Sequence, residues 1–255
     1  MTCGSERLGP NPLLLIALLL ASTLIGGRAR GDPIVADLTS HLIAIGSGFT
    51  GASVVLFGAI EGPGDVIAVV RGPARDMTIW RKGKVAGIWV NAESATFATV
   101  PSFYAVAASR PIDEILPRDT AALYRIGTGN LKIEAKPPTT PETAGRFAEA
   151  LIKEQQQLGL FGSNPLKISF LGDRLFRTTI TVPANVPTGT YLVEVFLVRD
   201  RDVVGGQTTP LVVSKVGLDA AVSDFATRQA AAYGAIAVVT ALVAGWLASL
   251  PFRGV

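Results

Sequence analysis

Hydrophobic and polar positions fall into three regimes along the chain. Residues 13–25 form an uncharged run of 13, preceded by Pro10 and Pro12. That is the length of a signal-peptide core and short of the roughly 20 residues a membrane span needs. Residues 230–250 form a second uncharged run, of 21 residues. As a helix rising about 1.5 Å per residue, it crosses the roughly 30 Å hydrocarbon core of a bilayer. Tyr233 and Trp246 stand near its two ends, where amphipathic rings settle at the membrane–water interfaces.

Between these ends the period is mostly 2. The pattern predicts strands over 53–60, 65–71, 75–81, 85–91 and 102–107. Gly62-Pro63-Gly64, Gly72-Pro73 and Lys82-Gly83-Lys84 are the turn signals between them. Residues 42–45 read as a further short apolar strand. Phe176, Thr178, Ile180 and Val182 alternate with polar neighbours, a Pro/Gly turn follows over 183–189, and Tyr191, Val193, Val195 and Leu197 alternate again. Short strands with turn signals at this spacing predict a mainly β chain, an antiparallel immunoglobulin-like sandwich.

One segment departs from that pattern. Residues 142–158 are helical in pattern, with Phe147, Ala150, Leu151 and Leu158 on one face. Thr140 is placed to cap the helix, Pro141 opens it and Gly159 stops it. Residues 112–116 suggest a second short helix. Leu218, Val222 and Phe225, at i, i+4 and i+7, make an amphipathic approach to the final run.

The expected organisation follows. Residues 1–31 are a signal peptide, with Ala29 and Gly31 fitting cleavage before Asp32; cleavage before Arg30 and an uncleaved anchor are the alternatives. Residues 32–110 and 164–214 are β-rich external regions flanking a helical insertion and linker over 111–163. The lead-in covers 215–229, the transmembrane helix 230–250 and a cytoplasmic tail 251–255. This predicts a single-pass protein of the inner (plasma) membrane with its main domain in the periplasm.

Charge changes the picture little. The chain has 23 basic and 20 acidic side chains. Removing residues 1–31 takes away Arg7, Arg28, Arg30 and Glu6, leaving 20 and 19, a net charge of +1. Such a balance offers no general attraction for nucleic acid. The one cysteine, Cys3, lies in the signal segment, so the mature chain carries no thiol for a disulfide or a thiolate metal site.

Candidate chemistry is sparse. His41 is the single histidine and begins an apolar strand; a metal site or a Ser-His-Asp relay would need convergent partners that the sequence does not fix. Residues 46–51 fit G-x-G-x-x-G, but a strand pattern follows where dinucleotide binding requires a helix, so they read as a turn. No cofactor and no metal are expected. Arg71, Arg75, Arg81, Lys82 and Lys84 form a candidate basic interaction patch for anionic headgroups or an acidic partner, with a solvated hairpin edge as the plainer reading. Trp89-Val90-Asn91 and Phe103-Tyr104 concentrate aromatic residues, read chiefly as core packing. In the final run, Ala237, Ala241, Gly245 and Ser249 recur every four residues, a stripe of small side chains suited to helix packing.

Several blocks carry a family resemblance. They include Phe49-Thr50-Gly51, Leu56-Phe57-Gly58, Val70-Arg71-Gly72-Pro73, Gly87-Ile88-Trp89-Val90-Asn91, Val100-Pro101-Ser102-Phe103-Tyr104, Gly189-Thr190-Tyr191 and Gly245-Trp246. In this order they resemble a family of alphaproteobacterial transmembrane proteins. The resemblance implies a signal segment, an external domain and a C-terminal span. It also implies a gene lying near those for sulfite-exporter-type permeases, and it carries no activity.

Two functions follow as expectations. The first is a non-enzymatic interaction or accessory protein, anchored in the lipid bilayer, that assists a membrane partner such as a permease or self-associates through its C-terminal helix. The second is a periplasmic small-ligand binder or an enzyme using carboxylates such as Asp113, Glu114 and Asp119.

Overall fold

The computed structural model describes residues 33–85, 87–217 and 225–249. The expected signal segment, Leu218 and Val222 of the lead-in, Leu250 and the tail lie outside them.

Two sheets share one core. The first has strand order β1 (Ile34–Leu38), β3 (Gly51–Ile60), β11 (Leu175–Pro183), β10 (Ser169–Leu171), all antiparallel. The second runs β2 (Leu42–Ile45), β13 (Asp202–Lys215), β12 (Gly189–Arg199), β4 (Asp65–Arg71), β7 (Tyr104–Ala108), β9 (Leu166–Lys167). Strands from both β-rich stretches thus interleave: β3 pairs with β11, and β4 with β12. In immunoglobulin lettering the order is A-B-E-D on one sheet and G-F-C-C′ on the other, with β2 parallel to β13 at its edge. The Tyr191 hydroxyl donates to the Pro187 carbonyl at 2.5 Å, the corner that fixes the start of this strand in such sandwiches.

Alternation makes the core. Ile34, Ala36 and Leu38, Val54, Leu56 and Ile60, and Phe176, Ile180 and Val182 point inward from the first sheet. Tyr191, Val193, Val195 and Leu197 meet them from the second. Gly58 lies between Ala36 and Phe176 in the cross-strand register. A Cβ there would sit 2.5 Å from the Phe176 ring, so the ring fills the space the glycine leaves.

Strands β4 and β7 are buried on both faces. The helical insertion explains this. Helix α1 (Ile112–Ile115), α2 (Arg118–Leu123) and the following turn bury Ile115, Leu116, Ala121 and Ile126. Tyr124 packs its ring 5.2 Å from that of Phe196 on the outer face of β12. Helix α3 (Pro141–Gln157) is capped by Thr140, whose hydroxyl accepts from the Thr143 N–H at 3.4 Å. Gly159, at φ 71°, ends it as expected. The buried stripe of α3 differs from expectation. Phe147, Leu151 and Gln155 face inward, while Ala150 and Leu158 are exposed. A spacing of four holds through the helix, and the chain leaves it before Leu158 can join.

A third sheet is built on a long ribbon, β5 (Ala74–Val85) and β6 (Ile88–Pro101), inserted between β4 and β7, with the short β8 (Glu134–Ala135) beside β6. It corrects the sequence reading. The pattern places a turn at Lys82-Gly83-Lys84, but β5 runs through these residues and pairs them with Asn91, Val90 and Trp89 respectively. The reversal falls at Gly87, whose φ of 87° favours glycine.

The final helix, α4 (Ala230–Ser249), has 20 residues and no acidic or basic group in its terminal turns. None of the residues from Ala230 to Ala248 is buried within the chain. The Thr240 hydroxyl donates to the Ile236 carbonyl at 2.8 Å, so the polar side chain in the middle of the helix is satisfied internally.

Candidate functional site

The five basic residues of the candidate patch do not act as a group. Arg71 lies on β4, where the register puts it beside Tyr104 on the outer face of the second sheet. It is paired with Glu194 of β12, and the two side chains are only 19% and 27% exposed. The same guanidinium donates to the carbonyls of Tyr124 (2.8 Å) and Arg125 (3.2 Å). Burial lowers the pKa of Arg71 and pushes the Tyr104 hydroxyl up to about 12. That hydroxyl donates to the Arg125 carbonyl at 2.9 Å and accepts from the Gly127 N–H at 2.8 Å. The cluster fastens the end of α2 to the sheet. Arg75, Arg81, Lys82 and Lys84 are exposed on β5. Arg81 is bonded to Glu93 at 2.7 Å across the ribbon, which leaves Lys82 and Lys84 nearest the tip.

The aromatic concentration also divides. Phe103 and Tyr104 are core residues, but Trp89 is 67% exposed on the ribbon, contrary to the packing reading. The remaining candidates are plain. The His41 Nε2 atom lies 2.9 Å from the Asp37 carboxylate, both exposed. Residues 46–50 form a turn closed by the Phe49 N–H to the Gly46 carbonyl at 3.1 Å, and β3 follows. Of the proposed carboxylates, Glu114 lies 3.4 Å from Arg110, while Asp113 and Asp119 are exposed. Arg110 also bonds Asp65 and holds that carboxyl below its ordinary range. A cleft of about 820 Å³ opens beside α1 and β9, with Asp113, Arg118 and Lys167 on its walls.

Sequence reasoning missed one surface. On the outer face of the first sheet, the register aligns Val35, Ala59 and Leu175 in one row and Asp37, Phe57 and Arg177 in the next. Phe57 is 45% exposed, and Val35, Leu171 and Leu175 are more so. The result is a shallow apolar groove with one charge of each sign at its side. The signal was available: β1 and β3 carry Val35, Val55 and Phe57 at the positions alternate to their core residues.

On α4, Ala237, Ala241 and Gly245 lie exposed four residues apart, and Ser249 is the last residue of the helix.

A family described as "Putative transmembrane protein (Alph_Pro_TM)" matches residues 33–254. The chain belongs to this family. The match spans the sandwich, its insertions and the apolar helix, in agreement with the resemblance read from the sequence blocks. No curated protein matches the chain. Among solved structures, a chain from "Structural basis of T cell specificity and activation by the bacterial superantigen toxic shock syndrome toxin-1" aligns at 7% identity. The alignment covers 72% of this chain and 99% of that one, with a TM-score of 0.26, too low to support any argument.

Proposed function

We propose that this member of the family is an accessory protein of the inner membrane. Its α4 helix tethers an immunoglobulin-like domain on the periplasmic side, and that domain acts by binding a membrane partner such as a permease, without catalysis of its own. The observation that carries the reading is α4 itself, a 20-residue apolar helix in which no residue from Ala230 to Ala248 is buried. Water would oppose that exposure at roughly 25 cal/mol per Å², and a bilayer removes it. The small residues Ala237, Ala241, Gly245 and Ser249 support helix association, because in lipid close backbone approach replaces the hydrophobic drive. The groove around Phe57 supports a protein contact by the domain. Copurification from detergent-solubilised membranes tests this. A stoichiometric membrane protein should be recovered with the natural chain and lost with Phe57→Asp or with Ala241→Leu and Gly245→Leu together. Recovery of the same proteins with all of these variants would overturn the binding role.

The cleft beside α1 favours a second reading, a periplasmic small-ligand binder or a carboxylate-dependent enzyme. Its test is a ligand-induced rise in melting temperature that Asp113→Asn or Arg118→Gln abolishes.

A further inference from the structure

Strand β5 and strand β6 continue well past the body of the protein. The third strand of their sheet reaches only Phe97 and Ala98. From Lys82 to Ala92 every residue with a described burial except Gly83 is exposed. Four cross-strand rungs, from Lys82–Asn91 to Val85–Ile88, at about 3.3 Å each give a free arm of roughly 13 Å. A two-stranded ribbon in water is marginally stable alone. This one nevertheless carries Ile88 (68% exposed), Trp89 and Val90 at its apex, on both of its faces.

The charges have an order as well. Lys84 is the cross-strand partner of Trp89, one rung behind the apical Val85–Ile88 pair, and Lys82 that of Asn91, two rungs further back. The nearest acid, Glu93, lies further back and is bonded to Arg81. The apex is therefore apolar and aromatic, with two unopposed lysines behind it.

We propose that this apex is a second membrane contact: it inserts end-on into the interface of an anionic phospholipid bilayer. The proposal rests on reading the chain as membrane-tethered, which holds the ribbon at high local concentration near a bilayer. Ile88, Trp89 and Val90 occupy the boundary between headgroups and acyl chains, the depth an indole ring prefers. Lys82 and Lys84 lay their aliphatic stems along the ribbon and put their ammonium groups among the phosphates. Insertion covers the surface the ribbon leaves bare, and charge complementarity selects an acidic lipid surface.

The test uses the full chain reconstituted in vesicles, with one tryptophan at a time. W80F with W246F leaves Trp89 as the reporter; W80F with W89F leaves Trp246 as the reporter for α4. The vesicles contain phosphatidylcholine with or without phosphatidylglycerol, and brominated lipid is the quencher. In phosphatidylglycerol vesicles, Trp89 emission should shift to shorter wavelength and be quenched by bromine. Lys82→Gln and Lys84→Gln should each lower the inserted-to-free ratio about fivefold. A quenched Trp246 beside a Trp89 that stays open to acrylamide overturns this proposal alone. An unquenched Trp246 overturns the tether as well. Shielding of Trp89 from acrylamide without bromine quenching points to a protein cover, a second copy included, and also overturns it.

Discussion

The side-chain amide of Gln207 on β13 bonds both backbone polar groups of Ala36 on β1. The Ala36 N–H donates to Gln207 Oε1 at 2.7 Å, and Gln207 Nε2 donates to the Ala36 carbonyl at 2.9 Å. Ladder bonds to β3 involve the neighbours of Ala36, as the Glu61 N–H to the Pro33 carbonyl and the Thr39 N–H to the Val55 carbonyl show. The backbone of Ala36 therefore faces away from its own sheet, and Gln207 stands in for a missing strand at the seam of the sandwich.

Gln207→Leu should leave the N–H of a residue that is 2% exposed without a partner and its carbonyl with only the 3.5 Å bond from the Thr209 hydroxyl. Each such group costs about 1–3 kcal/mol. In a domain of this size each kcal/mol lowers Tm by about 2–4 °C. Gln207→Glu separates the two bonds. When ionised it still accepts from the N–H but can no longer donate to the carbonyl, so part of the loss should remain. Equal melting of Gln207→Leu and the natural chain would remove Gln207 from the seam.

Arg71 is the second test. Arg71→Met strands a largely buried Glu194 and two backbone carbonyls, at a cost of about 2–4 kcal/mol in denaturant unfolding. Arg71→Met with Glu194→Met should recover most of that loss, because neither charge is then left alone. Arg75→Met, on the exposed ribbon, should stay within about 0.5 kcal/mol.

The Tyr104 hydroxyl gives a pH dependence. Its pKa of about 12 in the fold stands above the ordinary 10.0. The protonated form is thus favoured by folding, and its stabilisation is complete below pH 10 and lost as pH rises toward 12. The loss is of the order of 3 kcal/mol. In an alkaline absorbance titration, one tyrosine that ionises late in the natural chain should be missing in Tyr104→Phe, and the natural chain's stability should fall more steeply above pH 10.

Much of this fold was legible because burial on one face imposes a period. β4 matches its predicted limits, and Phe176 to Leu197 alternate as the two facing strands β11 and β12. Three things were not legible. The ribbon turn was misplaced because Lys-Gly-Lys resembles a solvated loop, yet on a free arm lysines are as soluble in a strand. The pattern names no strand over β13, whose Gly205, Gly206 and Pro210 break the alternation that its pairing with β12 supplies. Arg71 was grouped with its sequence neighbours, although a residue in a strand belongs with its cross-strand partners Tyr104 and Leu192.

The central claim is that α4 spans a bilayer with the β domain outside the cytoplasm. Reporter fusions in cells test it most directly. A periplasm-active phosphatase fused after Gly217 should be active, and the same reporter fused after Val255 should be inactive. Activity at both positions, or the reverse pattern, would contradict the account.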